Sequence, residues 1–193
     1  MQLYLKGQRC FSEKCSFKKR DYPPGVHTRR PRKMSEYNRQ LREKQKAKRI
    51  YGVAERQFRK YFKLAESMQG NTGENLLTTL ERRLDNVVLG MGLALSRYHA
   101  RQLIGHGHIW VNGRRMDIPS YLVKPGDAIG VTPKKENIRK IVSEAVELNR
   151  GTETPDWIEV DPTNLSGKVA RLPKRDEITH ELHEQLIVEL CSK

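Results

Sequence analysis

The first sixty residues carry 19 Lys and Arg against 5 Asp and Glu, while the rest of the chain carries 18 of each. The whole net charge of +14 therefore sits in the first third. So much like charge repels itself, and a polyanionic partner is the usual remedy. The asymmetry argues against a generally basic enzyme and for a dedicated anion-binding arm or face. With 193 residues, 36% apolar and 31% charged, the chain is long enough for one ordinary domain or two small ones with modest cores.

Export and membrane insertion are not expected. The opening MQLYLKG lacks a basic segment followed by an apolar one, as a signal peptide would have. The longest nearly apolar run, Val87 to Leu95, is far short of a membrane span. Three cysteines, an odd number, do not suggest a disulfide framework. The expected setting is a reducing cytoplasm.

Residues 1–34 form a basic N-terminal arm with little periodicity, containing YPPGVH and RRPRK, which would order on a partner. Ser35 caps a helix running to Gly52, whose few apolar positions are Tyr37, Leu41, Ala47 and Ile50. Phe58, Tyr61, Phe62 and Ala65 recur at helical spacing in a second helix. After the GNTG break, Thr72 is expected to cap a third. There Leu76, Leu77, Leu80, Leu84, Val87 and Val88 read as one continuous apolar stripe. Residues 35–82 thus form a helical domain, completed by the C-terminal segment 175–193.

Residues 83–145 read as a smaller unit. Ser96 caps the short helix RYHARQLIG, and an Asn112-Gly113 turn joins two alternating strands, since both residues tolerate the positive φ such a turn requires. A Lys124-Pro125-Gly126-Asp127 turn precedes a strand over Ala128–Val131, and residues 136–150 look helical. Residues 146–174 form a strand-containing connection with WIEV and KVARL, and EQLIVELC is read as a last strand. Arg97 and Arg101 share a helix face, and Arg114 and Arg115 leave the turn. Together they would form a rigid basic concavity suited to folded RNA.

RLDNVVLGMGLALSRYHARQLIGHGHIWVNGRRMDIPSYLVKPGD resembles the small RNA-binding domain named after bacterial ribosomal protein S-four. LREKQKAKRIYGVAERQFRKYF resembles the helical domain of that ribosomal family itself, and the similarity extends to EQLIVELCSK. The resemblance implies an α+β fold with arm, helical domain and small S-four-type domain. It implies a structural, non-enzymatic constituent of the small ribosomal subunit. Such a protein binds the 5′ domain of 16S rRNA, nucleates assembly and lies near the channel by which mRNA enters, beside neighbouring ribosomal proteins. It would be monomeric within a ribosome, away from any membrane; an organellar ribosome stays open.

Carried onto this chain, Arg42, Lys44, Lys46 and Arg49 would face rRNA, with Tyr51 at the end of their helix. Arg97, Arg101, Gln102, His106, Asn112, Arg114 and Arg115 would be the small domain's contacts, while Arg29, Arg30, Arg32 and Lys33 would lie toward mRNA. No cofactor is required. Some members hold zinc with four cysteines, and Cys10 and Cys15 match the second pair of such a site. Two thiolates do not close a structural zinc site, and His27 would supply a third ligand at most.

Two rivals remain. Arg83-Leu84-Asp85 resembles the aspartate motif of pseudouridine synthases, but Asp85 is better read as pairing with an arginine, and no room is left for a catalytic domain. A free RNA-binding regulator would not need the Leu41–Phe62 block or the acidic tail. His180 and His183 are assigned surface or RNA-facing roles.

Overall fold

The computed structural model describes residues 2–20, 22, 25, 33–133, 135–151 and 153–192. Arg29, Arg30, Arg32 and His27 lie outside them, whereas Lys33 is exposed. A 3-10 turn over Gly7–Cys10 and the short α1, Ser16–Lys19, lead into the helical unit.

Helix α2, Glu36–Ile50, is built from straight-chain residues that lose little rotamer freedom in a helix. Ser35 Oγ accepts from the Asn38 amide at 3.3 Å, and Gly52 at φ +60° stops the helix. Helix α3, Glu55–Glu66, buries Phe58, Tyr61, Phe62 and Ala65. Helix α4 is Thr72–Glu81, but its cap is Asn71, not Thr72: Asn71 Oδ1 accepts from the Gly73 amide at 2.9 Å, leaving Thr72 as the first helical residue.

The apolar stripe expected from Leu76 to Val88 is two helices. Helix α5, Leu84–Gly90, begins after Arg82 and Arg83 turn away from α4. The segment 119–123 captures that backbone: the Leu84 amide donates to Tyr121 O at 2.8 Å and the Val123 amide to Arg82 O at 2.9 Å. Leu76, Leu77 and Leu80 therefore join one core, and Leu84, Val87 and Val88 another.

The second core lies beneath a five-stranded antiparallel sheet ordered β2-β1-β3-β5-β4. Its strands are β1 Ile109–Val111, β2 Arg114–Met116, β3 Ala128–Val131, β4 Ile158–Asp161 and β5 Ser166–Val169. Helices α5, α6 (Arg97–Gly105) and α7 (Glu136–Leu148) cover one face and bury Val88, Ile104 and Val142 against Ile109, Ile129 and Val169. KVARL is strand only as far as Val169.

EQLIVELC is not a strand but helix α8, Glu184–Cys191. It packs on α2 and α4 and drives Ile187 into the first core beside Ile178 and Leu182. An eight-residue apolar run is ambiguous by periodicity, and the exposed helical surface of α2 and α4 decides the outcome.

Candidate nucleic-acid interface

Helix α6 starts where Ser96, in extended backbone, accepts from the His99 amide at 3.2 Å. It ends at His106 and Gly107, the latter at φ +69°. The chain then enters the hairpin, where Asn112 (φ +50°) and Gly113 (φ +75°) form the expected tight turn. The Asn112 side chain makes two hydrogen bonds inside the protein. Its Nδ2 donates to Asp127 Oδ1 at 2.8 Å, and its Oδ1 accepts from the Ala128 amide at 2.9 Å. Asp127 also accepts from the Lys124 amide at 2.8 Å. Asn112 therefore pins the hairpin to the Pro-Gly-Asp turn.

The expected convergence of four arginines does not occur. Arg114 pairs opposite Val111 and Arg115 opposite Trp110, so the two side chains leave opposite faces of the hairpin. Both are exposed. Arg97 and Arg101 instead turn toward the seam between the two cores. Arg97 Nε donates to Asn86 Oδ1 at 2.8 Å, its Nη2 meets His180 Nε2 at 2.8 Å, and its guanidinium lies 5.3 Å over the Tyr51 ring. Arg101 Nη1 donates to Gly52 O at 2.6 Å, and its Nε lies 3.5 Å from Asp85 Oδ2.

Other expected contacts belong to the same seam. Tyr51 is buried, not RNA-facing, and its hydroxyl donates to Glu81 Oε1 at 2.6 Å. Asn86 Nδ2 donates to the other Glu81 carboxylate oxygen. Burial raises the Glu81 pKa and holds that of Tyr51 well above its ordinary value. His180 sits partly buried beside Tyr51, not at the surface. Burial, reinforced by Arg97 and Lys46, pushes its pKa down to about 4. Its ring is therefore neutral near pH 7, and Nε2 accepts from Arg97, which has only donors. Asp85, 1% exposed, accepts two bonds from Arg83, at 3.1 and 2.6 Å, and Arg83 also donates to the Tyr61 hydroxyl. A carboxylate so enclosed is a structural acceptor and has no access to a nucleobase.

On α2, Lys44 is buried and ion-paired with Glu55 at 2.8 Å, a correction to its expected RNA-facing role. Lys46 contacts Glu43 and donates to the Glu181 carbonyl. Lys44, Lys48 and Arg59 together lower the Glu55 pKa to about 2. Arg42 and Arg49 are exposed, as are Gln102 and His106. Arg49 lines a crevice with Arg97, Arg101, Tyr4, Leu95 and Ser96. There the N-terminal segment touches the small unit: a Cβ on Gly7 would lie 2.5 Å from Leu95 O.

Sequence reasoning overlooked a stripe on α3. Arg56, Arg59, Lys60 and Lys63 are all exposed, at i, i+3, i+4 and i+7. They are the complement of the apolar set on that helix, and the same periodicity marks them. The two cysteines of the arm occupy different settings. Cys15 Sγ is buried and accepts from Gln2 Nε2 at 3.5 Å, while Cys10 Sγ accepts from the Lys6 amide at 3.3 Å. Among the described residues no group of three or more His, Cys, Asp or Glu is placed to hold a metal, and His27 lies outside them. No helix among them is long and apolar enough to cross a membrane.

Comparison with known proteins agrees with this division. Residues 1–81 match the family described as ribosomal protein S4/S9 N-terminal domain, and residues 82–129 match the S4 domain. The chain is 55% identical over 193 residues to small ribosomal subunit protein uS4 of Dictyoglomus turgidum, covering all of this chain and 92% of that protein. It is 52% identical to the uS4 of Thermodesulfovibrio yellowstonii and 55% identical to the uS4A of Alkaliphilus metalliredigens, with the same coverage.

Proposed function

The chain belongs to the family of small ribosomal subunit protein uS4, and from that membership we propose that it is a primary binder of the 5′ domain of 16S rRNA. It is a structural, non-enzymatic constituent of the small subunit. In this reading it docks as a monomer beside neighbouring ribosomal proteins, near the channel by which mRNA enters, and helps nucleate assembly in the cytoplasm. It requires no cofactor.

The observation that carries the reading is the pairing of exposed cations with a fixed seam. Arg42, Arg49, Arg56, Lys60 and Lys63 stand on the helical unit, and Arg114 and Arg115 on the small one. The Arg97–His180 and Arg101–Gly52 hydrogen bonds join the two units, so their cations keep a set spacing. Phosphate contacts at such spacing define register on folded RNA, and release of counterions supplies affinity.

The test is a salt titration of binding to the isolated 5′ domain and to an unrelated folded RNA of equal length. The expected result is a preference on the order of 10³ that persists as salt rises, a scale taken from specific DNA binders. Equal affinity with equal salt slopes would reduce the chain to a polycation and overturn the proposal.

A further inference from the structure

The sheet has one face packed on helices and one face open. Register places Arg115, Trp110, Gly130, Ser166 and Asp161 in one row across the open face, strand by strand. Trp110 is partly exposed, whereas the second tryptophan, Trp157, is 2% exposed in the core. Beyond Trp110 the floor is made by Ala128, Gly130 and Ser166, which leave a groove of about 530 Å³. That volume suits a ligand of nucleotide size.

Cations gather beside the β2–β1 end of this groove, next to Trp110 and outside the groove's own lining. Arg115 lies over Gly107, where any side chain would overlap its guanidinium. His106 and Lys135 are exposed, and the His106 and His108 rings meet edge to face at 5.9 Å. His108, two residues before Trp110, is 8% exposed, and its Nδ1 has no hydrogen-bond partner. Burial, with the charges of Lys135, His106 and Arg115, lowers its pKa. The far strand carries Glu159 and Asp161, with Lys168 opposite Glu159. The row is thus cationic on the tryptophan side and acidic on the other.

We propose that this end of the open sheet face holds an unpaired RNA nucleotide, its base stacked on Trp110 and its phosphate facing Arg115, His106 and Lys135. Charge complementarity selects the occupant, since a phosphate is attracted to one end and repelled by the carboxylates of the other. An exposed indole accepts any base, because every base has a π-face. The proposal rests on the RNA-binding reading and adds to it the open sheet face, which shares Arg115 with the cations named above.

The experiment uses the full chain and a fluorescently labelled hexa-adenylate, followed by anisotropy, with the 5′ domain fragment measured in parallel. Trp110→Ala should weaken hexa-adenylate binding about tenfold. Trp110→Phe, which keeps an aromatic face, should stay within a few-fold of the parent, and Arg115→Gln should weaken binding and flatten its salt dependence. Thermal melts identify any variant that fails to fold, and the Phe variant then decides between stacking and packing. Hexa-adenylate binding that is absent, or indifferent to Trp110 and Arg115, overturns the proposal. If the 5′ domain is still bound selectively in that case, the ribosomal reading stands. Loss of selectivity for the 5′ domain in the parent chain would instead sink that reading, whatever the oligonucleotide does.

Discussion

At the scale of single residues, the arginines divide by what they already hold. Arg115 is exposed on the hairpin, whereas Arg101 is bonded to Gly52 O and lies beside Asp85. Arg115→Ala should reduce the salt slope of RNA binding by about one unit with an unchanged denaturation midpoint. Arg101→Ala should cost roughly 1–3 kcal/mol in denaturant titration, because it removes a charged bond to a carbonyl and leaves Asp85 with one arginine fewer. A stability loss for Arg115 with none for Arg101 would reverse this assignment. His180 gives the seam a pH signature. Its folded pKa of about 4 lies below the ordinary 6.5, so the unfolded chain takes the proton first. Stability is full above about pH 6.5 and falls toward pH 4, by an amount on the order of 2–3 kcal/mol from this group. His180→Asn, which still accepts from Arg97 but does not titrate, should flatten that part of the curve; an unchanged difference between pH 7 and pH 4 would contradict it.

At the scale of elements, the hairpin depends on one side chain. Asn112→Ala places a Cβ-bearing residue without local hydrogen bonds at φ +50° and removes both ties to the Asp127 turn. A loss of about 1–3 kcal/mol is expected, and Asn112→Gly should recover only the backbone part. Equal melting curves for parent and Ala variant would show the ties to be idle. The hairpin was legible in sequence because its turn chemistry is local, and so were the Ser35 and Ser96 caps. Helix α8 was not legible: EQLIVELC fits either period, and what makes it helical is the surface of α2 and α4, distant in sequence. The division of the Leu76–Val88 stripe escaped for the same reason, since segment 119–123 supplies the bonds that part α4 from α5. The site suffered most. Residue type distinguishes a cation from an apolar residue, but not a free arginine from one spent on Asn86, Gly52 or a tyrosine face.

At the scale of the molecule, two cores meet through polar contacts. The helical core is discontinuous in sequence, taking Phe58, Leu76 and Leu80 from early helices and Ile178, Leu182 and Ile187 from the end. The sheet core draws on residues from Leu84 to Val169 only. A chain ending at Lys174 should therefore keep the sheet core, reported by the emission of Trp157, while amides of α2–α4 lose protection in hydrogen exchange. Retained protection in α2–α4 would mean that the early helices close a core unaided. The late position of α8 also sets an order in time. A chain grows from its N-terminus, and α8, Glu184–Cys191, follows the other helices and strands described above. The sheet unit is complete in sequence before α8 is made, but the helical unit waits for α8 to receive its final wall. Synthesis itself thus acts as a clock: the core behind α2 and α4 is walled off only after the whole sheet unit has been made.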